Sequence, residues 1–556
     1  MKRRNFIKRV ALGAGAPFAF QGIPIQVLGA QKPLSRLSAA SANDRVLVIL
    51  QMHGGNDSIN TFIPLDNYDL YYNRRANIAL PYKSGKRTII DLDTTLPQEQ
   101  LIGLHPDMTD FKALYDRGKA TVVQGVSYEN NNGSHFRGRD IWYMGGDSDD
   151  YFTSGWAGRY LNSIYEPLTY PEDFPNDEMP DPLALEMGNE VSLLFHQDES
   201  IPTALALGRN PSGLADLIAS LDGYQDQGID PRGLPPEFLA NSPYGREMNW
   251  ILGLEEKSET YIERLRQVYE NSSDSGIEYP ESYPLGNSRN PLSGQLQLVA
   301  RLLDGGGEGV KTKVFLLKIG GFDTHAQQVE NYDPSLGGHS ALLYHISSAM
   351  RAFQRDLAAR GLEDKVLTVT MSEFGRRVAS NGSYGTDHGT GGAVMLFGRN
   401  VNPGVFGNNP DLNNNNISMQ YDYRHVYATI LRDWLKVDEQ KIRDDIFFGD
   451  FLSSDLVLSR DEVLGTDPFL ESRFKVKDIY PNPAQKEISL SYIYNDQHEA
   501  LIEIYDQQGR KMASKQMKNK MGRHEISMNV NHLAPGIYHV KFSSEKLNRT
   551  QKLIIK

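Results

Sequence analysis

Four long apolar runs in this chain each stop at a cluster of glycines and short polar residues. VLVILQ (46–51) leads into Met52-His53-Gly54-Gly55-Asn56-Asp57, and TVVQGVSY (121–128) into Gly133-Ser134-His135-Phe136. KVFLLKI (313–319) leads into Gly320-Gly321-Phe322-Asp323-Thr324-His325, and VLTVTM (366–371) into Ser372-Glu373-Phe374-Gly375-Arg376-Arg377. A fifth cluster, Gly385-Thr386-Asp387-His388-Gly389, precedes the run AVMLFG (393–398). Continuous apolar runs of this length predict parallel strands buried on both faces. The C-terminal ends of such strands form the edge where open α/β sheets keep their ligands. Glycine there lets the backbone turn sharply and approach a ligand closely. The pattern therefore predicts a sheet whose rim gathers Asp, His, Glu and Ser from remote parts of the chain.

Helical spacing appears twice. Segment 246–271 places Trp250, Ile251, Leu254, Tyr261, Ile262, Leu265 and Val268 near a 3.6-residue period. Segment 340–360 does the same with Leu343, Ile346, Met350, Phe353 and Leu357, and Gly361 is a suitable terminator. The second helix lies between two strand runs, as a βαβ crossover requires. Residues 163–300 hold few strand runs and read as an insertion or cap over the sheet. Within them, 166–182 is rich in proline and acid and reads as a loop. After about Thr466 the pattern changes to short alternating strands separated by turns, from Phe474 to the end. Strands at that spacing predict a small all-β sandwich.

Composition narrows the chemistry. A chain of 556 residues is too long for one core, which predicts more than one domain. Its net charge of −12 argues against general nucleic-acid affinity. The absence of cysteine removes disulfides, thiolate nucleophiles and thiolate metal sites. Any divalent metal must then be held by carboxylates, imidazoles, hydroxyls or carbonyls, ligands that suit zinc, magnesium, manganese or calcium.

Residues 1–30 read as an export address. Lys2-Arg3-Arg4-Asn5-Phe6-Ile7-Lys8 is followed by an Ala/Gly-rich, modestly apolar stretch, with cleavage expected near Ala30. This looks like a twin-arginine signal, which implies the twin-arginine translocase as a partner. A membrane anchor is the alternative, but glycines, prolines and glutamines interrupt the stretch. No later segment approaches about 18 continuous apolar residues, so no transmembrane span is expected in the mature protein. Residues 31–44 read as a flexible segment, 45–466 as the main domain, 467–473 as a linker and 474–556 as the β-sandwich.

The motifs carry two resemblances. The pieces HGGNDSINT, SHFRGRDIW, SGWAGRYL, GGFDTHAQQ, SEFGRR, GTDHG and YDYRHVYATILRDWL resemble the "domain of unknown function 1501" (DUF1501) family. That family is similar in turn to the alkaline phosphatase and sulfatase superfamily. The resemblance implies a three-layer α/β fold with a mostly parallel, alkaline phosphatase-like sheet. The tail carries Tyr480-Pro481-Asn482-Pro483, Ile504 to Arg510, Leu533 to Tyr538 and a basic last strand. It resembles the type IX secretion C-terminal sorting domain. This implies export through that machinery to the cell surface or beyond, in a Bacteroidota-type bacterium. The alternative is an accessory β-sandwich.

The site candidates follow from both readings. Asp57 stands after the first strand, where the superfamily has a metal-bridging Asp; an Asx turn or helix cap is the alternative. Ser134 precedes a helix-like stretch, where a hydroxyl beside free N–H groups suits a nucleophile, and where a plain N-cap would also stand. His135 is a ligand or base candidate, and Arg137 an anion partner. Asp323 and His325 are metal candidates, since side chains at i and i+2 of an extended loop can point the same way. The superfamily usually spaces that pair more widely. Glu373 stands where the superfamily has an Asp-His pair, but Phe374 follows it; Arg376 and Arg377 would balance its charge. His388 matches a late metal-binding His, with Asp387 expected to orient it.

Two functions stay open on the sequence. One is an exported, metal-dependent hydrolase of phosphate or sulfate esters, acting on an anionic ester or polysaccharide. The other is a non-catalytic surface protein that binds glycans or anionic polymers on a degenerate hydrolase scaffold.

Overall fold

In the computed structural model the described residues are 43–207 (without 189 and 198–200), 257–452 (without 259) and most of 474–556. The tail omits 481, 495–499, 507–509, 517–521 and 545–547. Before residue 43 only the paired two-residue strands Ala19–Phe20 and Ile23–Pro24 are described. Apart from those two strands, the export signal, the linker 467–473 and the first part of the predicted helix 246–271 lie outside the described residues.

The apolar runs form the strands expected of them: β1 (Val46–Met52), β2 (Ala120–Ser127), β5 (Val314–Ile319) and β6 (Val366–Met371). Two short strands that were not expected, β3 (Ala184–Met187) and β4 (Ala204–Leu207), lie between them in the chain. Two short strands, β7 (Arg376–Ser380) and β8 (Thr386–His388), make a separate antiparallel ladder. Then come β9 (Gly392–Phe397), β10 (Gly404–Phe406) and β11 (Tyr421–Asp422). The main sheet has nine strands in the order β10–β2–β9–β6–β1–β5–β3–β4, with β11 pairing β2. Every pairing is parallel except those of β9, which is antiparallel to both β6 and β2.

That reversal explains why the fifth motif comes before its strand. A strand running backwards begins at the edge where its neighbours end, so the loop ahead of β9 reaches the same rim as the loops behind β1, β5 and β6.

Helices cover both faces of the sheet. One face packs on α1 (His135–Met144), α2 (Trp156–Tyr165) and the helix Tyr423–Thr429, around Leu47, Ile49, Leu316, Leu367 and Val369. The other packs on α3 (Pro291–Asp304) and α4 (Gly338–Ala359), around Val48, Leu50, Phe315 and Leu317. This is a three-layer α/β arrangement. In α4 the five apolar residues of the predicted stripe are all buried. Burying each such side chain is worth about 1.5–3 kcal/mol relative to leaving it exposed. Gly361 follows with φ of +70°, the left-handed conformation that stops a helix.

Region 163–300 differs from the expectation. Its described part extends the sheet through β3 and β4 and covers one face through α3. Short strands of four residues gave too little apolar run to be recognised. The described part of the predicted helix 246–271, residues 257–271 without 259, is helical, with Tyr261, Ile262, Leu265 and Val268 buried.

The tail forms seven strands in two antiparallel sheets. β12 (Phe474–Tyr480), β13 (Glu487–Tyr494) and β16 (Gly522–Asn529) pair in the order β12–β13–β16. β14 (Ala500–Tyr505), β15 (Lys511–Gln516), β17 (Gly536–Ser544) and β18 (Asn548–Ile555) pair as β15–β14–β17–β18. Its core, including Ile488, Leu490, Ile502, Val540 and Leu553, draws only on tail residues.

Candidate metal centre

Three loops at the rim bring imidazoles and carboxylates together. Atoms of His135, Asp323 and His388 lie within 4.8 Å of one another. His388 Nε2 is 2.8 Å from His325 Nε2, and both are 3.2 Å from Asp323 Oδ1. His135 Nε2 is 3.5 Å from Asp323 Oδ2. The spacing is possible because glycines remove side chains where loops touch. Gly54 has φ of +123°, and a Cβ there would come within 2.2 Å of the Asp323 backbone N.

The proton positions can be argued. His388 Nδ1 is 2.7 Å from the Gly133 carbonyl oxygen. A carbonyl only accepts, so Nδ1 carries the proton and Nε2 of the neutral ring presents a lone pair. Metal-binding histidines commonly have one nitrogen tied to a carbonyl in this way. His325 Nδ1 faces Asp387 Oδ1 at 3.7 Å, which favours a proton there too. Lone pairs of His388, His325 and Asp323 then converge with no hydrogen between them, an arrangement that a cation relieves. Both ring nitrogens of His135 are buried without a hydrogen-bond partner. These residues fit a divalent metal.

Electrostatics agree with a cluster kept ready for a cation. Partial burial by itself raises the Asp323 pKa, but the hydrogen bond and charge of Arg376 outweigh it and hold the carboxyl below its ordinary value. Burial lowers the His135 pKa against the raising pull of Asp323 and Glu373, which favours the neutral, ligating form.

Glu373 is fully buried beneath the rim. Its carboxylate accepts from the backbone N–H of Gly54 at 3.1 Å and of Gly55 at 3.2 Å. Oε1 lies 3.8 Å from both His53 Nε2 and His135 Nδ1. Phe374 is an apolar wall with ring centroids 4.8 Å from His135 and 4.5 Å from His388. Ser134 caps α1, its Oγ accepting from Arg137 N at 3.4 Å. It stands between Gly133, which holds His388, and His135.

Four sequence assignments change. Asp57 binds Arg75 at 2.6 Å and Gln328 at 2.6 Å, and caps the short helix Ser58–Thr61 through Ile59 N. Its oxygens are taken up by a buried cation, an amide and a backbone N–H, so it is a structural anchor and not a ligand. Arg137 donates through Nη2 to the carbonyls of Ser148 and Asp150 and lies over Tyr151, so this nitrogen ties down the turn after α1 instead of meeting an anion. Asp387 faces His325 instead of orienting His388. Arg376 is fully buried; it donates to the carbonyls of Gly54, Gly55, Phe322 and Thr386 and to Asp323 Oδ1 at 2.6 Å. It braces the metal candidate Asp323 and balances that residue, not Glu373.

His53 was missed. Its signal was its place directly after β1, the same position that singled out the other candidates.

Residues 266–444 match the family described as "Protein of unknown function (DUF1501)". The DUF1501 segment supplies Asp323, His325, Glu373, Arg376, Asp387 and His388, while His53, Ser134 and His135 precede it. Residues 478–556 match the family described as "Secretion system C-terminal sorting domain". The protein is therefore secreted, to the cell surface or the outside. No helix among the described residues is long and apolar enough to cross a membrane.

No curated protein matches the sequence. Among solved structures, the chain is similar to dimeric latent PorU from Porphyromonas gingivalis, at 19% identity over 15% of this chain and 9% of that one, with a TM-score of 0.13. A second is a structure titled for metabolism of multiple glycosaminoglycans by Bacteroides thetaiotaomicron (BT33494S-sulf): 9% identity, 85% and 89% of the two chains, TM-score 0.32. A third is phosphonate monoester hydrolase SpPMH from Silicibacter pomeroyi: 10% identity, 91% and 88%, TM-score 0.27. At such values the activity has to be argued from the chain's own residues.

Proposed function

We propose that this secreted protein is a metal-dependent hydrolase of phosphate or sulfate esters. The observation that carries the reading is the convergence of His388 Nε2, His325 Nε2 and Asp323 Oδ1, with His388 Nδ1 fixed on the Gly133 carbonyl. His388, His325, Asp323 and His135 would hold the ion. Three imidazoles and one carboxylate suit zinc or manganese better than calcium or magnesium, which favour oxygen-rich sites.

When bound, the metal supplies positive charge against the ester oxygens. The chain supplies the rest. Ser134 presents a hydroxyl at the positive end of α1, where free N–H groups favour an incoming tetrahedral anion. Attack by its oxygen on the phosphorus or sulfur would form a covalent ester as the bond to the leaving oxygen breaks, with the hydroxyl proton passing to the departing alcohol; water would then hydrolyse that ester and restore the Ser134 hydroxyl. Arg376 fixes Asp323, and the amides of Gly54 and Gly55 fix Glu373, so both carboxylates keep their places.

Elemental analysis of exported protein should find a stoichiometric divalent metal, lost in His388→Ala. Wild type should hydrolyse activated aryl phosphates or sulfates, and the variant should not. Wild type without bound metal would overturn the reading.

A metal-holding binding protein is the second reading. It is favoured by the fact that Arg376 and the Nη2 of Arg137 are committed to internal carbonyls and, for Arg376, to Asp323. Stoichiometric metal with no turnover of either ester class would select it.

A further inference from the structure

A buried amide touches both of the loops that carry the converging ligands. Gln328 is fully buried. Its Oε1 accepts from Thr324 Oγ1 and from Thr386 Oγ1, each at 2.9 Å. Thr324 stands between Asp323 and His325, and Thr386 stands two residues before His388.

The amide can face only one way. Nε2 lies 2.6 Å from Asp57 Oδ2, and an ionised carboxylate only accepts, so the nitrogen must face it. The amide oxygen is left to the two hydroxyls, and both donate to it. Asp57 is held in turn by Arg75, which also donates to the carbonyls of Arg377 and Val378. A chain of buried hydrogen bonds thus runs from β7 through Arg75 and Asp57 to Gln328, where it divides between the two ligand loops. In Asp57→Asn an amide oxygen can still accept from Nε2, so this chain does not depend on the Asp57 charge.

The two loops have a reason to part. The Nε2 lone pairs of His325 and His388 face each other at 2.8 Å, and they repel until a cation lies between them. Thr386 N donates to the Thr324 carbonyl at 3.0 Å, which joins the loops at one backbone point. A single bond fixes a distance and leaves the loops free to pivot about it. Arg376 braces Asp323 and the Thr386 carbonyl, but neither imidazole. Gln328 adds one tie to each loop and fastens both ties to Asp57.

We propose that Gln328 is a positioning residue of the metal centre, a latch that holds the Asp323–His325 loop against the His388 loop at ion-binding distance. The inference rests on the metal reading above and on no assumption about substrate. Ligands held in place beforehand need less ordering when the ion arrives, so opening the latch weakens binding.

The two hydroxyls test the latch more cleanly than Gln328 itself, whose removal also strips a donor from Asp57. Thr324→Val and Thr386→Val keep the side-chain shape and delete one tie each. Thr324→Ser and Thr386→Ser keep the tie. Affinity for zinc and for manganese ions is measured by chelator competition on metal-stripped full-length protein, with the Tm of each stripped variant. Each Val variant should bind about 10- to 100-fold more weakly, the usual effect of removing a group that orients a metal ligand. The double Val variant should be about as weak as either alone, because cutting one end already opens the latch. The Ser variants should stay close to wild type.

Unchanged affinity in both Val variants, whatever their Tm, overturns the latch and leaves the metal centre standing. Losses that multiply in the double variant, or that appear equally in the Ser variants, overturn it too. Wild type that binds neither ion overturns the metal reading, and the latch with it. Should one Val variant fail to fold, the other decides, since each severs the same link.

Discussion

Asp57 and Arg75 show how a single pair is decided by surroundings. Both side chains are fully buried and 2.6 Å apart. Burial alone would raise the Asp57 pKa, but the Arg75 charge and hydrogen bond outweigh it and the carboxyl ends below its ordinary value. A depressed carboxyl stabilises the fold above its unfolded pKa, about 3.9, and loses that contribution as pH falls through the lower folded value. Asp57→Asn leaves Arg75 buried without a counter-charge, at a cost of about 3–5 kcal/mol. Denaturant titrations from pH 7 to pH 2 should show wild type losing stability below about pH 4, while Asp57→Asn starts lower and changes less. Metal content at pH 7 should persist in the folded variant, since Asp57 touches Arg75 and Gln328 and none of the proposed ligands. A variant that is stable but metal-free would return Asp57 to the centre.

Helix α1 is the element on which structure and proposed chemistry meet. Its N-terminus is built by Gly133, whose φ is +67° and whose missing side chain lets His388 lie within 3.2 Å of where a Cβ would be. Ser134 then caps the helix and His135 opens it. Ser134→Ala should cost about 1 kcal/mol from the lost cap. If its oxygen also attacks the ester, turnover should fall by several orders of magnitude while metal content holds. Parallel measurement of unfolding, metal and ester hydrolysis separates the two roles. Full activity in a slightly destabilised variant would leave Ser134 a cap and nothing more.

Across the whole molecule, the catalytic proposal and the address are held by different cores. Among the described residues, the main-sheet clusters contain no tail residue, and the tail cluster contains no main-sheet residue. Deleting 474–556 should therefore leave the thermal transition of the main sheet in place and stop delivery to the cell surface. Fractionation of cells expressing the truncated chain checks this. Surface delivery without the tail would contradict its sorting role, and loss of the main transition would contradict the separation of cores.

The sequence by itself determined the strands and their rim. Buried parallel strands need uninterrupted apolar runs, and β1, β5 and β6 could be written in no other way. It also determined the 22-residue helix α4, because a long amphipathic stripe and a terminating glycine are local signals. The pairing of side chains was decided only by tertiary structure. Nothing near Asp57 in sequence announces Gln328, and nothing near Asp323 announces that Arg376 will brace it across the rim. Asp387 precedes His388 directly, yet the strand geometry of β8 sends neighbouring side chains to opposite faces, so Asp387 reaches His325 instead. β3 and β4 were likewise too short to declare themselves, and gain their stability from the strands beside them. Apolar periodicity is written along the chain, whereas charge partners are chosen by whichever segments the fold brings within about 3 Å, the reach of a hydrogen bond.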